Sequence, residues 1–313
     1  MSLADASHKR LESRPEIALA IDVYDWHARA LIKAFGRLGA RATPVRLSQC
    51  IFDTRRPGAL VIPGFGSSLP DAMLVRAVGF GTFESVTLRL GILHSLAALG
   101  VPVVNSARCV EICADKSAAS FAFASNNIPT PPTWVAESAL AARRIVRREA
   151  KRGPLVFKPL FGAQGYGLKL ILSEDDLPSF EEACGVYYLQ RFVGGQGGGF
   201  SDFRVLVSNG EVIAAMIRHG KQWVTNIKLG ARPEWIVPDA DMRAIALRAA
   251  ASVGAVVAGV DIIRSLAGPV QVLEVNSMPG WRGLQSVAPF SIADLLAEHF
   301  LAKIAWPGSK AAE

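Results

Sequence analysis

Val272-Leu273-Glu274-Val275-Asn276-Ser277-Met278-Pro279-Gly280-Trp281 places a carboxylate and an amide oxygen two residues apart in an otherwise apolar, β-type run. On a strand that spacing aims both side chains, Glu274 and Asn276, at one face. A second acid, Asp261, sits in an equally apolar run, Gly259-Val260-Asp261-Ile262-Ile263, and the short polar connection from Arg264 to Gly268 folds it back beside the first. Three hard oxygen donors then converge. Buried acids must be paired or bound to a cation to offset their desolvation, and hard oxygen ligands with positions left open to water and phosphate suit magnesium. The pattern points to nucleotide chemistry.

Outward from that segment, composition sets the frame. The 313 residues are 50% hydrophobic and 19% charged, enough for two or three lobes with substantial cores and unlike a disordered chain. The longest apolar stretches, such as Val253 to Val260, are too short for a bilayer, and the N-terminus is polar, so the expectation is a cytoplasmic protein with no membrane role. The four cysteines, Cys50, Cys109, Cys113 and Cys184, match no disulfide framework or zinc ribbon and read as buried free thiols, although Cys109 and Cys113 share one side of a helix. The net charge of +7 comes from scattered basic residues with no aromatic-interleaved stripe, which argues against nucleic acid and for anionic small molecules. The densest basic run, Arg143 to Arg148, lies in a helical pattern with Ala139, Leu140 and Val146 opposite, and reads as a solvated helix face.

Along the chain, residues 1–15 are polar and expected to be disordered. Residues 16–107 then alternate strand and helix as in a parallel α/β lobe: Ile17 to Asp22, the helix Trp26 to Leu38 ending at Gly39, Ala59 to Ile62, Met73 to Arg76, the helix Ser85 to Leu99, and Val101 to Asn105. A central α+β unit follows at 108–187, with Asn126 to Pro132 as a turn-rich break. Residues 188–313 form a last α+β unit with a hairpin at Asn209-Gly210, a helix from Asp239 to Ser252, the two acid-bearing strands, and a closing helix from Ser291.

Three further segments carry chemistry. Leu155-Val156-Phe157-Lys158-Pro159 is a buried strand ending in a lysine, followed by Phe161-Gly162-Ala163-Gln164-Gly165-Tyr166-Gly167; glycines let backbone N–H groups approach phosphate oxygens, and the lysine adds a point charge. Neither a P-loop nor a dinucleotide fingerprint is present, and the turn taken alone also suits a plain hairpin. Arg204 and Arg218 end neighbouring strands and can grip a transferring phosphoryl group, or can be two unrelated surface arginines. Asp115-Lys116 opens a helix: the acid caps it, while the lysine, disfavoured there by the helix dipole, is better explained by an anion.

In this order, Asp115-Lys116, Ile128-Pro129-Thr130-Pro131, Val156-Phe157-Lys158-Pro159, Gln164-Gly165-Tyr166-Gly167, Leu189-Gln190-Arg191-Phe192-Val193, Asp202-Phe203-Arg204, Thr225-Asn226 and Asp261 with Glu274 to Gly280 resemble the ATP-grasp superfamily, and within it the RimK-type α-L-glutamate ligases. Val75-Arg76, Gly81 to Glu84, Thr87-Leu88-Arg89, Gly100 and Asn105 look closest to the ligases that add glutamate to tetrahydromethanopterin-type cofactors. The resemblance implies an ATP-grasp fold of mixed α/β and α+β class, with ATP between the central and C-terminal lobes. Lys116, Lys158, Gln164, Gly165, Tyr166, Gly167, Gln190, Arg191, Phe192, Val193, Asp202 and Asn226 would then surround ATP, with Asp202 at the ribose. Asp261, Glu274 and Asn276 would hold two magnesium ions, manganese being the alternative, and Arg204 and Arg218 would steady an acyl phosphate. Arg76 and Arg89 are candidate grips for an anionic acceptor or plain structural ion pairs.

The implied reaction joins L-glutamate to a carboxylated small molecule in a cytoplasmic dimer or tetramer. A ligase acting on a protein or peptide tail, an inactive ATP-binding regulator and an ATP-dependent kinase are the rival readings; retention of both lysines and all three metal donors argues against the inactive site. Two features depart from the family: Arg191 stands where an acid often follows the hinge glutamine, and the loop Gly194 to Gly199 is longer than in ribosomal-protein glutamate ligases. Of the five histidines only His219, beside Arg218, falls near the proposed chemistry.

Overall fold

Alternating apolar strands and amphipathic helices organise the first hundred residues of the computed structural model, which describes residues 14–162, 165–194, 199–264 and 268–305. Most of the expected N-terminal segment 1–15, Gln164 and the middle of the Gly194 to Gly199 loop lie outside these residues. The chain divides into two compact units. One holds the residues up to Ala107 together with Met278–Gln285 and the chain from Pro289 onward; the other holds Arg108–Ser277 and Ser286–Ala288.

The first unit is built on strands β1 (Glu16–Ala20) and β2 (Arg41–Val45), joined by helix α1 (Trp26–Arg37). Asp25 caps α1 by accepting from the Ala28 N–H, and the helix buries Ala28, Leu31, Ala34 and Phe35, a stripe at helical spacing. Ile51–Phe52 (β3) and Leu60–Val61 (β4) form an antiparallel ribbon of their own. This corrects the expectation that Ala59 to Ile62 adds a strand to the parallel lobe. Gly58 and Gly64 turn the chain at φ +75° and +88° on either side, leaving only two residues free to pair. Ala72–Val75 (β5), helix α2 (Phe83–Ala98, capped by Thr82) and Val103–Val104 (β6) complete a parallel sheet of order β2-β1-β5-β6. Because β1 leads to β2 on one side and β5 to β6 on the other, the carboxyl ends of β1 and β5 mark a topological switch point.

The second unit starts with α3 (Ala107–Ala114) and α4 (Lys116–Ser125), where Asp115 is the cap expected from sequence. Cys109 and Cys113 on α3 form a hydrogen-bonded thiol pair. All four cysteines are free, but Cys184 is exposed, contrary to the expectation of buried thiols. Strands β7 (Thr133–Ala136), β8 (Leu155–Lys158), β9 (Lys169–Ile171) and β10 (Tyr187–Arg191) form a sheet of order β7-β10-β8-β9 backed by α5 (Ala139–Glu149). On α5 the buried apolar residues are Ala142 and Val146, and Leu140 faces solvent, which corrects its placement on the apolar side.

A second antiparallel sheet follows, of order β13-β12-β11-β14-β15: β11 (Phe200–Ser208), β12 (Glu211–Gly220), β13 (Arg232–Trp235), β14 (Val257–Arg264) and β15 (Val270–Asn276). Asn209 and Gly210 close the β11–β12 hairpin with both φ angles positive, the turn whose twist matches the strands. Helix α6 (Ala240–Ser252, capped by Asp239) lies between β13 and β14 in sequence and packs Ile245, Ala246 and Ala249 against Val205, Val207, Val260, Val272 and Val275. One face of this sheet is thus sealed by aliphatic side chains, so the alternate residues, Arg204, Asp261 and Glu274 among them, point to the other face.

After β15 the chain re-enters the first unit with α7 (Arg282–Gln285) and α8 (Ile292–Lys303). Phe300 of α8 meets Phe35 of α1 edge-to-face, ring centres 5.5 Å apart, and Arg37 pairs with Asp294. Among the described residues no helix is long and apolar enough to cross a membrane. Because Phe300 is 1% exposed and Phe35 fully buried, Phe300→Ala is expected to cost about 3–5 kcal/mol, read as a lower urea midpoint at unchanged slope.

Candidate functional site

The register of the second sheet builds the site. Asp202 faces Arg218 across β11 and β12, Arg204 faces Asp261 across β11 and β14, and Asp261 faces Glu274 across β14 and β15. Four neighbouring strands therefore present one row of charge on the face away from α6. Arg218 grips both oxygens of Asp202 and lies 3.2 Å from Asp261, while Arg204 holds both oxygens of Asp261, with Nη2 to Oδ2 at 2.7 Å. Burial opposes ionisation of Asp261, but the two guanidiniums outweigh it and hold the carboxyl down at about 2. Burial pushes the Asp202 carboxyl up, and the bidentate Arg218 fork opposes that rise. The row is self-neutralising where it is most buried.

At its open end the row changes character. Asn276 donates Nδ2 to Glu274 Oε1 at 2.9 Å, leaving Glu274 Oε2 and Asn276 Oδ1 with no partner among the described residues. A register shift between Asp261 and Ile262 leaves Leu273 as an extra residue of β15, and this bulge turns Leu273 into the pocket beside Glu274. Among the described residues no three His, Cys, Asp or Glu side chains gather as a metal cluster. The donor set expected from sequence has two acids and an amide. Hard oxygens, two of them unpartnered and the third group on the facing strand, fit magnesium.

Both lysines expected from sequence lie at this pocket, opposite Glu274. Lys158, at the end of β8, donates to Gln190 Oε1 at 2.7 Å and sits 5.9 Å over the Tyr188 ring. Gln190 in turn donates Nε2 to Thr133 Oγ1 at 3.0 Å and to Tyr188 Oη at 3.3 Å, and Tyr188 meets Ser120 at 2.8 Å. This network fixes the amide of Gln190 with its oxygen toward the lysine. Lys116 donates to the carbonyls of Leu160 and Gly162 at 3.2 and 2.9 Å, fastening the start of the glycine loop. Burial lowers both ammonium pKa values, with Glu274 opposing the shift in each.

Gly165 and Gly167 need to be glycine. Each has positive φ, and a Cβ would come within 2.8 Å of Val224 at Gly165 and 2.7 Å of Pro159 at Gly167. The loop thus runs tight against its neighbours, with Tyr166 exposed. Gln190, Arg191, Phe192, Val193 and Asn226 also line the pocket, as do Asp202, Arg218 and Asp261. Asn226 caps the short turn Ile227–Leu229 by accepting from the Lys228 N–H. Arg191 turns its guanidinium to the carbonyls of Glu149 and Gly153, and to the Glu149 carboxylate at 3.0 Å. Arg204 and Asn276 reach the site through their partners Asp261 and Glu274. His219 pairs with Glu234.

Sequence reasoning missed the apolar lining. Trp223 stands edge-to-face with Phe192 at 5.8 Å, and Phe200, Val224 and Ile263 add further apolar walls. Its one available signal was the cluster Trp223-Val224 next to the noted Thr225-Asn226. Arg76 and Arg89 belong to the other unit. Arg89 donates Nη1 to the carbonyls of Val78 and Phe80, and Arg76 donates Nη1 to Pro279 O at 2.7 Å and stacks on Trp281.

The chain is similar to known proteins. A RimK-like ATP-grasp domain matches residues 113–300. A tetrahydromethanopterin:alpha-L-glutamate ligase of Methanosarcina acetivorans is 31% identical, the alignment covering 91% of this chain and 98% of that protein. A ligase of the same name from Methanococcus maripaludis is 35% identical over 64% of this chain and 70% of its own length. Among solved structures, ATP-grasp ligase PsnB, complexed with Mg, ADP and a phosphomimetic variant of its minimal precursor, superposes with a TM-score of 0.73 at 19% identity, covering 93% of this chain and 99% of PsnB. The charged row, the paired lysines and the glycine loop sit on an ATP-grasp fold, and the chain belongs to the RimK-like ATP-grasp family of ligases.

Proposed function

We propose that the protein is an ATP- and magnesium-dependent ligase that adds L-glutamate to a carboxylated small molecule of the tetrahydromethanopterin type. The observation that carries this reading is the row Arg218, Asp202, Arg204, Asp261 and Glu274, facing Lys116 and Lys158 across one pocket. A carboxylate oxygen of the acceptor attacks the γ-phosphorus of ATP and ADP leaves, giving an acyl phosphate. The amine of L-glutamate then attacks the acyl carbon, phosphate departs, and the nitrogen loses a proton to form the amide.

No protein nucleophile is needed, so the contribution of the chain is alignment and charge neutralisation. Lys116 and Lys158 bind phosphates. Gly165 and Gly167 let the loop backbone close over them, and Phe192 and Trp223 form an apolar wall suited to the base. Arg204 and Arg218, already oriented by Asp261 and Asp202, stabilise charge on the transferring phosphoryl group. Asp261, Glu274 and Asn276 would hold two divalent cations, magnesium or manganese, which when bound offset phosphate charge. The acceptor assignment leans on the Methanosarcina relative, aligned over nearly its whole length. A peptide acceptor is the second reading, since PsnB has been seen with its precursor.

Glu274→Ala is expected to reduce ADP formation at least a hundredfold with an unchanged circular dichroism spectrum; ordinary turnover by this variant would remove the metal assignment. Incubation with ATP, magnesium, L-glutamate and tetrahydromethanopterin should give a product heavier by one glutamate residue in mass spectrometry, and amide formation only with another amine or only on a peptide would overturn the substrate assignment. A lowered lysine pKa brings the uncharged form in at lower pH, so phosphate attraction is lost early on the alkaline side. The fall in kcat/KM for ATP should therefore begin below the ordinary lysine value of 10.5, and a profile flat beyond it would contradict the phosphate-binding role of Lys116 and Lys158.

A further inference from the structure

Arg76 follows β5 directly, and its N–H donates to the carbonyl of Ala20 at the end of β1, which places it at the topological switch point of the parallel sheet. Its guanidinium is fixed from two sides. Nη1 donates to Pro279 O at 2.7 Å, and the plane lies over the Trp281 ring, 4.6 Å from its centre. Trp281 is itself held: its N–H donates to His27 Nε2 at 3.2 Å, and the two rings meet edge-to-face at 4.6 Å. The side chain is thus preorganised by stacking and a carbonyl, with no carboxylate involved.

What it lacks, among the described residues, is a counter-ion. Asp25, the acid whose charge acts on it, uses one oxygen to cap α1 and the other to bind His27 Nδ1 at 2.8 Å. Arg76 Nε is buried and has no hydrogen-bond partner among the described residues, and the same holds for the indole Nε1 of Trp281. Burial without a paired anion lowers the Arg76 pKa to about 10, the nearby charge of Asp25 giving only a partial return. Other arginines with little exposure are paired: Arg204 with Asp261, Arg218 with Asp202, Arg191 with Glu149. A buried guanidinium N–H left without an acceptor is costly, and a bound anion is one group that would answer it.

We propose that Arg76 anchors a substrate carboxylate, presenting its Nε edge to the anion while Trp281 and Pro279 O hold the guanidinium in place. This rests on the ligase reading, in which both substrates are carboxylates: the acceptor and L-glutamate. The shared chemistry is a charge-assisted contact to one carboxylate, worth roughly a ten- to hundredfold change in affinity.

The test has two independent arms. Arg76→Lys and Arg76→Gln are expected to raise KM for either L-glutamate or tetrahydromethanopterin by ten- to a hundredfold, with KM for ATP changed less than twofold; which substrate responds identifies the bound carboxylate. Equal changes in all three KM values, or none, would overturn the proposal. In the second arm the unaltered protein is labelled with ¹⁵N, and the Trp281 indole resonance is identified among the six tryptophans through Trp281→Phe. Titration with L-glutamate, and separately with tetrahydromethanopterin, should shift that resonance with one of them. No shift with either, at concentrations that saturate turnover, would sink the site. A shift without any amide product would retain the carboxylate site and discard the ligase reading, whereas turnover with unselective KM values would do the reverse.

Discussion

A buried charge must be answered by another, and the second unit meets that constraint with strand register. Its five-stranded sheet is sealed on one face by α6 and its valines, so Asp202, Arg204, Arg218 and Asp261 of the central strands emerge on the other. There each acid is set opposite a guanidinium: Asp202 opposite Arg218, Asp261 opposite Arg204. Removing one member of such a pair leaves the other unanswered at a cost on the order of 3–5 kcal/mol, far more than the pair is worth as a stabilising contact. The pairing therefore serves placement more than stability, since it fixes two guanidiniums at defined points along a rigid ladder.

Much of this was legible in the chain. Alternation of apolar and polar residues around Asp261 and Glu274, with a short polar connection between them, is sufficient to predict two antiparallel strands with their acids on one face. The caps Asp115 and Asp239 and the Asn209-Gly210 hairpin are local signals, and each acts through neighbours within three residues. What stayed hidden depends on distant partners. Leu273 enters the pocket because of a bulge, and the bulge is decided by pairing with β14. The carboxylate partners of Arg204 and Arg218 are of this kind, since the register alone sets Asp261 and Asp202 opposite them. The expectation that Ala59 to Ile62 adds a strand to the parallel sheet fails because a short apolar run looks alike in either setting, and its pairing with Ile51–Phe52 is not visible locally.

Arg191 shows how a departure from a family pattern finds a physical reason. In the family an acid often follows the hinge glutamine, and here the position holds a cation. Its side chain instead leaves the site, collecting the carbonyls of Glu149 and Gly153 and one oxygen of Glu149, while its ring-facing side lies 5.7 Å from Trp134. The backbone N–H still pairs with Pro132 O, so the strand edge is kept. The side chain braces the end of α5 and the turn after it.

On the proposed function, the charge count of the pocket gives a divalent cation a physical role there. Among the described residues of the pocket and its ladder, leaving aside Arg191, whose guanidinium turns to Glu149, Lys116, Lys158, Arg204 and Arg218 supply four positive charges, and Asp202, Asp261 and Glu274 three negative ones, leaving a single positive charge. A triphosphate brings several negative charges into a partly desolvated space, where unlike charges attract strongly and like charges repel equally strongly. One net cation cannot balance it, and the two guanidiniums are already committed to carboxylates. Glu274 Oε2 and Asn276 Oδ1 are the oxygens without a partner among the described residues, on the strand at the edge of the row and opposite both lysines. A hard cation bound there would neutralise the phosphates without disturbing the ladder, which ties metal dependence to the same register that keeps the acids paired.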